Sequence, residues 1–286
     1  MQILDWLKNR FTDLKYFIWL LRYRSYWKKD NYSIIPFLKY WVYYTAPRLL
    51  FGRGNAIDIS RNIISRFKDK NLIIPLPIND PYYIGLRDAV DFGAFREVCM
   101  GDYYNFSQLK PRMIVVDVGA HIGTFTLLAS KMVGGEGKVI AIEPEMHNFK
   151  QLRRNLELNK IKNAIPVNIA LSDSNGKKDF FVTKGSGCHS FFPMSGEEII
   201  DKIQINVKTL DTLLQELNIT KLDLIKIDAE GAELKILKGA EKTLKRNPQI
   251  KVVIAAYHYP NEKEEIFQYL KNLKFSPNIS GDLVVI

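Results

Sequence analysis

The chain has 286 residues, 47% of them hydrophobic, with a formal net charge of +10 and two cysteines, Cys99 and Cys188. That is enough apolar material for one large domain plus an appendage, and nothing in the cysteine usage suggests a disulfide framework, a zinc site or a thiol nucleophile, while a reducing, cytoplasmic location fits. The charge is unevenly placed: residues 1–70 hold fourteen bases against five acids, so the rest of the chain is close to neutral.

Residues 1–72 read as a basic, aromatic-rich helical module, and residues 73–286 as a separate α/β domain. Leu4, Leu7, Phe11, Leu14, Ile18 and Leu21 recur at three- and four-residue steps, the spacing of an amphipathic helix. All four tryptophans, Trp6, Trp19, Trp27 and Trp41, share this segment. Lys15, Arg22 and Arg24 leave only Tyr16 to Leu21 uncharged, far short of the roughly 20 apolar residues of a spanning helix. No small-residue cleavage site follows, so neither a transmembrane helix nor a signal peptide is expected. Bases beside tryptophan and tyrosine suit the inner, anionic face of a membrane, where rings sit at headgroup depth. The same stripe would serve equally for docking on its own domain or for pairing two copies into a homodimer.

Pro75, Pro77 and Pro81 interrupt the strand-like run Leu72 to Ile78 and read as an irregular joint between the two parts. Met113-Ile114-Val115-Val116 then delivers the chain into Asp117-Val118-Gly119-Ala120-His121-Ile122-Gly123, with an amphipathic segment directly behind: a buried parallel strand, a glycine turn and a helix. Such a turn lets the backbone approach a nucleotide-like cofactor beside the unpaired N–H groups of the helix. The Gly-x-x-x-Gly spacing lacks the middle glycine of the dinucleotide fingerprint, and Asp117 lies where a pyrophosphate would meet a negative charge. A cofactor without phosphates fits better, and S-adenosylmethionine carries a sulfonium and an ammonium instead. Asp117, Gly119, Ala120, His121 and Gly123 are the expected loop contacts. Val139 to Ile142 ends in Glu143, a carboxylate placed to accept both ribose hydroxyl protons. His147 follows, at the opening of a helix. A third run, Ile165 to Leu171, ends in Ser172-Asp173, within reach of an adenine amino group. Gly185-Ser186-Gly187-Cys188-His189-Ser190 is a small-residue loop in which Ser186, His189 and Ser190 could meet a substrate hydroxyl. A fourth run, Leu222 to Ile227, ends in Asp228-Ala229-Glu230-Gly231, and a fifth, Lys251 to Ala256, ends in Tyr257-His258. Asp282 to Ile286 reads as a last strand, antiparallel to its neighbour, at the sheet edge. Acids after strands also serve as helix N-caps, but in an open α/β sheet the carboxyl ends form the binding crevice.

These residues give the chain its resemblance. From about Arg96-Glu97-Val98 to His258 it resembles an FkbM-type S-adenosylmethionine-dependent methyltransferase, through Asp117 to Gly123, Glu143-Pro144, Ala170-Leu171-Ser172-Asp173 and Val207-Lys208-Thr209-Leu210-Asp211. The most specific block is Asp223-Leu224-Ile225-Lys226-Ile227-Asp228-Ala229-Glu230-Gly231-Ala232-Glu233. The resemblance implies a Rossmann-like class I sheet, mostly parallel with an antiparallel last strand, and O-methylation of hydroxyls on sugars, glycans or related metabolites. It departs from many relatives in reading Ala255-Ala256-Tyr257-His258 where they carry an acid just before the histidine.

Methyl transfer from a sulfonium is an in-line displacement, and an alcohol acceptor must also lose a proton. His258 is the expected base, with Asp228 as its orienter or as the ligand of the substrate hydroxyl and Glu230 beside the substrate. Lys226 shares a strand face with Asp228 and is expected either to act catalytically or to pair with Asp228 or Glu233. Asp228, Glu230 and His258 also form an oxygen–imidazole set that suits magnesium or manganese. His121 is expected to support the cofactor loop. Two other readings share the sheet. A nicotinamide oxidoreductase wants a small residue where His121 stands. A nucleic-acid methyltransferase could draw on the basic aromatic segment and on Asn79-Asp80-Pro81-Tyr82-Tyr83, but only with a permuted motif order.

Overall fold

The computed structural model describes residues 72–76, 82–87, 89–101, 103–183, 189–191 and 198–286; the expected amino-terminal helix and Ser186 lie outside the described residues. The chain divides into two compact units, Met1–Tyr103 and Tyr104–Ile286.

In the first unit β1 (Leu72–Pro75) pairs antiparallel with β2 (Tyr83–Leu86), so the strand-like run is strand only as far as Pro75. Helix α1 (Ala89–Gly101) follows. Asp91 in its first turn accepts the Arg87 backbone N–H at 2.7 Å and the Arg87 guanidinium at 2.8 Å, an anion where the helix dipole favours one.

The second unit is built on seven strands: β3 (Ile114–Val118), β4 (Lys138–Ile142), β5 (Ala164–Val167), β9 (Leu224–Ile227), β10 (Lys251–Ala255), β11 (Asn278–Ser280) and β12 (Leu283–Val285). Their order is β11-β12-β10-β9-β3-β4-β5. The five from β10 to β5 run parallel, whereas β12 and β11 run antiparallel. Continuous apolar runs are required here because helices cover both faces: Val115, Val116, Val139, Ile140, Ile225, Val252 and Ile254 are wholly buried. Parallel neighbours need crossovers, which α2 (Thr124–Val133) supplies between β3 and β4 and α3 (Met146–Leu158) between β4 and β5. The short helices α5 (Glu233–Lys238) and α6 (Glu241–Arg246) connect β9 to β10. From β3 the chain moves one way to β4 and β5, and later the other way to β9 and β10. The strand order therefore reverses between β3 and β9, and the crevice opens at their carboxyl ends.

Two sequence expectations change. The run Ile165 to Leu171 is two strands: β5 stops at Val167, and β6 (Ala170–Leu171) leaves for a separate three-stranded sheet of order β6-β8-β7, with β7 at Gly176–Thr183 and β8 at Ile199–Lys208. Asn168 makes the break, its side-chain amide donating to the carbonyls of Glu143 and Pro144 at 2.9 Å each. The last strand is antiparallel as expected, but β11 rather than β12 forms the edge. Helix α4 (Leu210–Glu216) begins behind Thr209, whose hydroxyl accepts the N–H of Thr212. Helix α7 (Glu262–Asn272) follows β10.

Candidate active site

The register of β3 against β9 sets Asp117 directly opposite Lys226. Their side chains meet at 3.1 Å with almost no exposure. Asp117 also accepts the Thr126 hydroxyl at 2.5 Å, and the Lys226 ammonium donates to the carbonyls of Val118 (3.2 Å) and Gly119 (2.8 Å). The contact with Asp117 is an ion pair, while the two carbonyls take the ammonium's hydrogen bonds. The expected partner of Lys226, Asp228 or Glu233, is thus corrected to Asp117, and the ammonium clamps the cofactor loop to β9. Asp117, expected as a direct cofactor ligand, faces the same clamp from a fully buried position.

Gly119 has φ +72, and a Cβ there would lie 1.8 Å from the carbonyl oxygen of Asp228. The backbones leaving β3 and β9 touch, so only glycine fits. Gly119 and Ala120 both donate their N–H to the carbonyl of Ile142 at 3.0 Å. This brings the next N–H, that of His121, onto Glu143 Oε2 at 2.8 Å. Gly123, with φ +93, ends the loop and opens α2. Glu143 Oε1 takes the N–H of Glu145 at 3.0 Å and the Asn148 amide at 3.5 Å. Burial pushes the Glu143 carboxyl up to about 7, against the pull of the Glu145 and His121 N–H groups. A buried carboxylate at a strand end, raised toward its neutral form, is a group that two ribose hydroxyl donors would stabilise in its charged form.

Ser172 and Asp173 follow a strand of the small sheet rather than of the main one. Lys178 holds both, at 2.5 Å from Ser172 Oγ and 3.1 Å from Asp173 Oδ1. The strand they close is thus corrected to β6; the third strand of the parallel block stops at Val167, just before Asn168.

At the exit of β9 the turn Asp228 to Gly231 carries φ +53 at Glu230, and the Ser190 hydroxyl donates to the Glu230 carbonyl at 2.7 Å. Ser190 is therefore buried and spent on this turn, while His189 Nδ1 accepts the Thr183 N–H at 3.1 Å. β10 lies next to β9, so His258 falls beside Asp228: Nε2 stands 3.6 Å from Asp228 Oδ1 and 3.8 Å from Glu230 Oε2. Nδ1 stands 3.4 Å from both Glu233 and Glu262. Two residues of this cluster, Glu262 and Tyr104, escaped the sequence reading. Glu262 is four residues past His258, in the first turn of α7, and its carboxylate accepts the His258 backbone N–H at 2.7 Å; the i,i+4 spacing was its signal. Tyr104 donates its hydroxyl to Asp228 Oδ2 at 2.5 Å from 124 positions away, and nothing local announces it.

Burial opposes a charge on His258, yet Asp228, Glu262, Glu233 and Glu230 outweigh it and push its pKa up to about 11. Burial would raise Asp228 as well; His258, Lys226 and Tyr104 bring it down to about 2. Glu233, the most deeply buried, is raised well above its ordinary value. The acids around His258 therefore favour its protonated form, which works against the expected role as a general base.

The methyltransferase FkbM domain family matches residues 117–277, more than half of the chain. The chain is 27% identical to methyltransferase sdnD of Sordaria araneosa, over 52% of its length and 68% of that protein. It is 26% identical to the hexuronic acid methyltransferase AglP of Haloferax volcanii, over 58% of its length and 65% of that protein. It is 29% identical to the 31-O-demethyl-FK506 methyltransferase FkbM of Streptomyces tacrolimicus, over 53% and 67%. The matched stretch thus spans about two thirds of each relative. A reversed-order α/β sheet, a glycine loop pressed on the β9 exit and an acid closing β4 lie inside that stretch, and the chain belongs to the FkbM methyltransferase family, carrying an S-adenosylmethionine-dependent methyltransferase domain.

Proposed function

We propose that the chain is an S-adenosylmethionine-dependent O-methyltransferase acting on a hydroxyl of a sugar, glycan or related metabolite, lipid-linked acceptors included. The observation that carries this reading is the contact of Gly119 with the Asp228 carbonyl. It makes the cofactor loop and the acid-lined end of β9 two walls of one crevice, so a methyl donor held by the first lies against an acceptor held by the second. S-Adenosylmethionine supplies an activated methyl group. Glu143 holds the ribose hydroxyls, and the Asp117–Lys226 clamp with Gly119, Ala120, His121 and Gly123 fixes the loop around the donor. Asp228 would accept the hydrogen bond of the acceptor hydroxyl and take its proton.

The names of two relatives, a hexuronic acid and a 31-O-demethyl-FK506 methyltransferase, support a hydroxylated acceptor. So does Tyr257, a half-exposed ring 4.3 Å from that of His258, which offers a flat apolar face beside the site. His121 in the middle of the loop argues against nicotinamide. The bases and tryptophans of residues 1–72 support recruitment to an anionic membrane surface. Among the described residues no helix is long and apolar enough to cross a membrane.

The test is methyl transfer from labelled S-adenosylmethionine into glycans and lipids extracted from cells lacking the gene, read by mass spectrometry. Wild-type protein should label a hydroxylated acceptor, and Asp228→Asn should lower turnover ~100-fold or more while still binding S-adenosylhomocysteine. Cofactor binding without transfer to any acceptor would instead identify a non-catalytic scaffold.

A further inference from the structure

We infer that Asp228, Glu230 and His258 form a binding site for one divalent cation of the manganese or magnesium type, open to the crevice. One carboxylate oxygen from each acid and a ring nitrogen of His258 lie within 4.8 Å of one another. The His258 side chain is 1% exposed, and neither of its ring nitrogens makes a hydrogen bond. Asp228 Oδ1, the oxygen it faces, is likewise buried without a hydrogen bond. The separations of 3.6 and 3.8 Å are too long for hydrogen bonds. They match donors around a shared ion, which stand roughly 3 to 4 Å apart when each lies about 2.1–2.2 Å from the metal.

The surroundings fit the same ion. Glu233 and Glu262 stand 3.4 Å from Nδ1, so their charge favours a proton on that nitrogen and leaves the Nε2 lone pair toward Asp228 and Glu230. Carboxylates behind the ring are a common outer arrangement for a ligating imidazole. Tyr104 holds the other oxygen of Asp228, and the Ser190 hydroxyl ties down the Glu230 backbone in its left-handed conformation, so both acids are aimed before any ion arrives. Four carboxylates converge on one imidazole here. A cation balances that excess. Glu233, His258 and Glu262 also cluster, but both of those acid side chains are wholly buried, leaving no route for the waters that manganese and magnesium retain. Asp228 and Glu230, about one-fifth exposed, leave the crevice side of the ion free for water or an acceptor oxygen.

This site stands or falls independently of the methyl-transfer reading, because its test does not use turnover. Chelator-treated full-length protein is titrated with manganese(II), and the free ion is followed by electron paramagnetic resonance. One ion per chain is expected to bind in the micromolar range and to be displaced by magnesium. Asp228→Asn and Glu230→Gln should each weaken binding at least tenfold, whereas Glu216→Gln, an exposed acid on α4, should not. Thermal melts identify any variant that fails to fold, and the partly exposed Glu230 keeps the test decisive if Asp228→Asn does. No manganese bound at 1 mM, or equal binding in wild type and a folded Glu230→Gln, would overturn the assignment and leave His258 as a plain imidazolium counter-ion.

Discussion

Lysine meets aspartate in two regions of this molecule, at similar distances and with opposite meaning. On the three-stranded sheet Lys202 and Asp179 stand 2.8 Å apart, both about half exposed. At the carboxyl ends of the parallel strands Lys226 and Asp117 stand 3.1 Å apart with exposures of 5% and 0%. Water and salt screen the first pair, which can be lost without notice. The second pair joins two adjacent strands whose following loops touch, and removing one partner strands a charge in the interior. Burial, rather than pairing, separates surface chemistry from site chemistry here.

The largest effect should come from breaking the buried clamp. Lys226→Met leaves Asp117 without its counter-charge and is expected to destabilise the domain by about 3–5 kcal/mol in urea unfolding. Asp117→Asn in the same chain should recover part of that loss. If Lys226→Met unfolds at the wild-type midpoint, the clamp has no structural role. Gly119→Ala comes next. Its methyl group would collide with the Asp228 carbonyl, so S-adenosylhomocysteine affinity should fall at least tenfold and stability by about 1–3 kcal/mol. Unchanged affinity would mean that the two loops do not touch.

How much of this was legible in the sequence depended on the range of the interaction. The strands and the edge that collects polar residues were readable, because parallel strands are apolar on both faces and end where helices begin. His258 fell beside Asp228 because β10 neighbours β9. The Asp117–Lys226 pair was not readable, since it depends on the register of β3 against β9. Tyr104 reached Asp228 through tertiary folding alone. The strand before Ser172 and Asp173 was misassigned because the apolar run through Ile165 and Leu171 hides the break at Asn168, where the chain changes sheets.

A subtler effect distinguishes Glu143. With its carboxyl raised to about 7, the folded chain holds a proton there that the unfolded chain releases near 4.5. The contribution of Glu143 to stability is therefore fully present below 4.5 and declines as pH rises to about 7. Ribose hydroxyls need the ionised form, so S-adenosylhomocysteine affinity should fall by up to about tenfold per pH unit below 7. Glu143→Gln should bind more weakly at pH 8 and lose that dependence; a wild-type affinity that is flat from pH 8 to 6 would count against Glu143 as the ribose ligand.

Two smaller effects complete the contrast. Full-length protein should float with anionic liposomes at low salt and be released at high salt, each engaged base contributing on the order of 1 kcal/mol. Replacing Lys8, Arg10, Lys15, Arg22 and Arg24 with Gln should reduce flotation, and equal flotation would point to another attachment. Lys202→Gln, by contrast, should leave the melting temperature within error, and a clear drop would show that exposed pairs matter more in this sheet than screening allows.

The most direct measurement is calorimetric titration of the wild-type chain with S-adenosylhomocysteine and, separately, with NAD. The loop-and-acid crevice predicts saturable one-to-one binding of S-adenosylhomocysteine in the micromolar range and none of NAD. Tight NAD binding with no response to S-adenosylhomocysteine would contradict it.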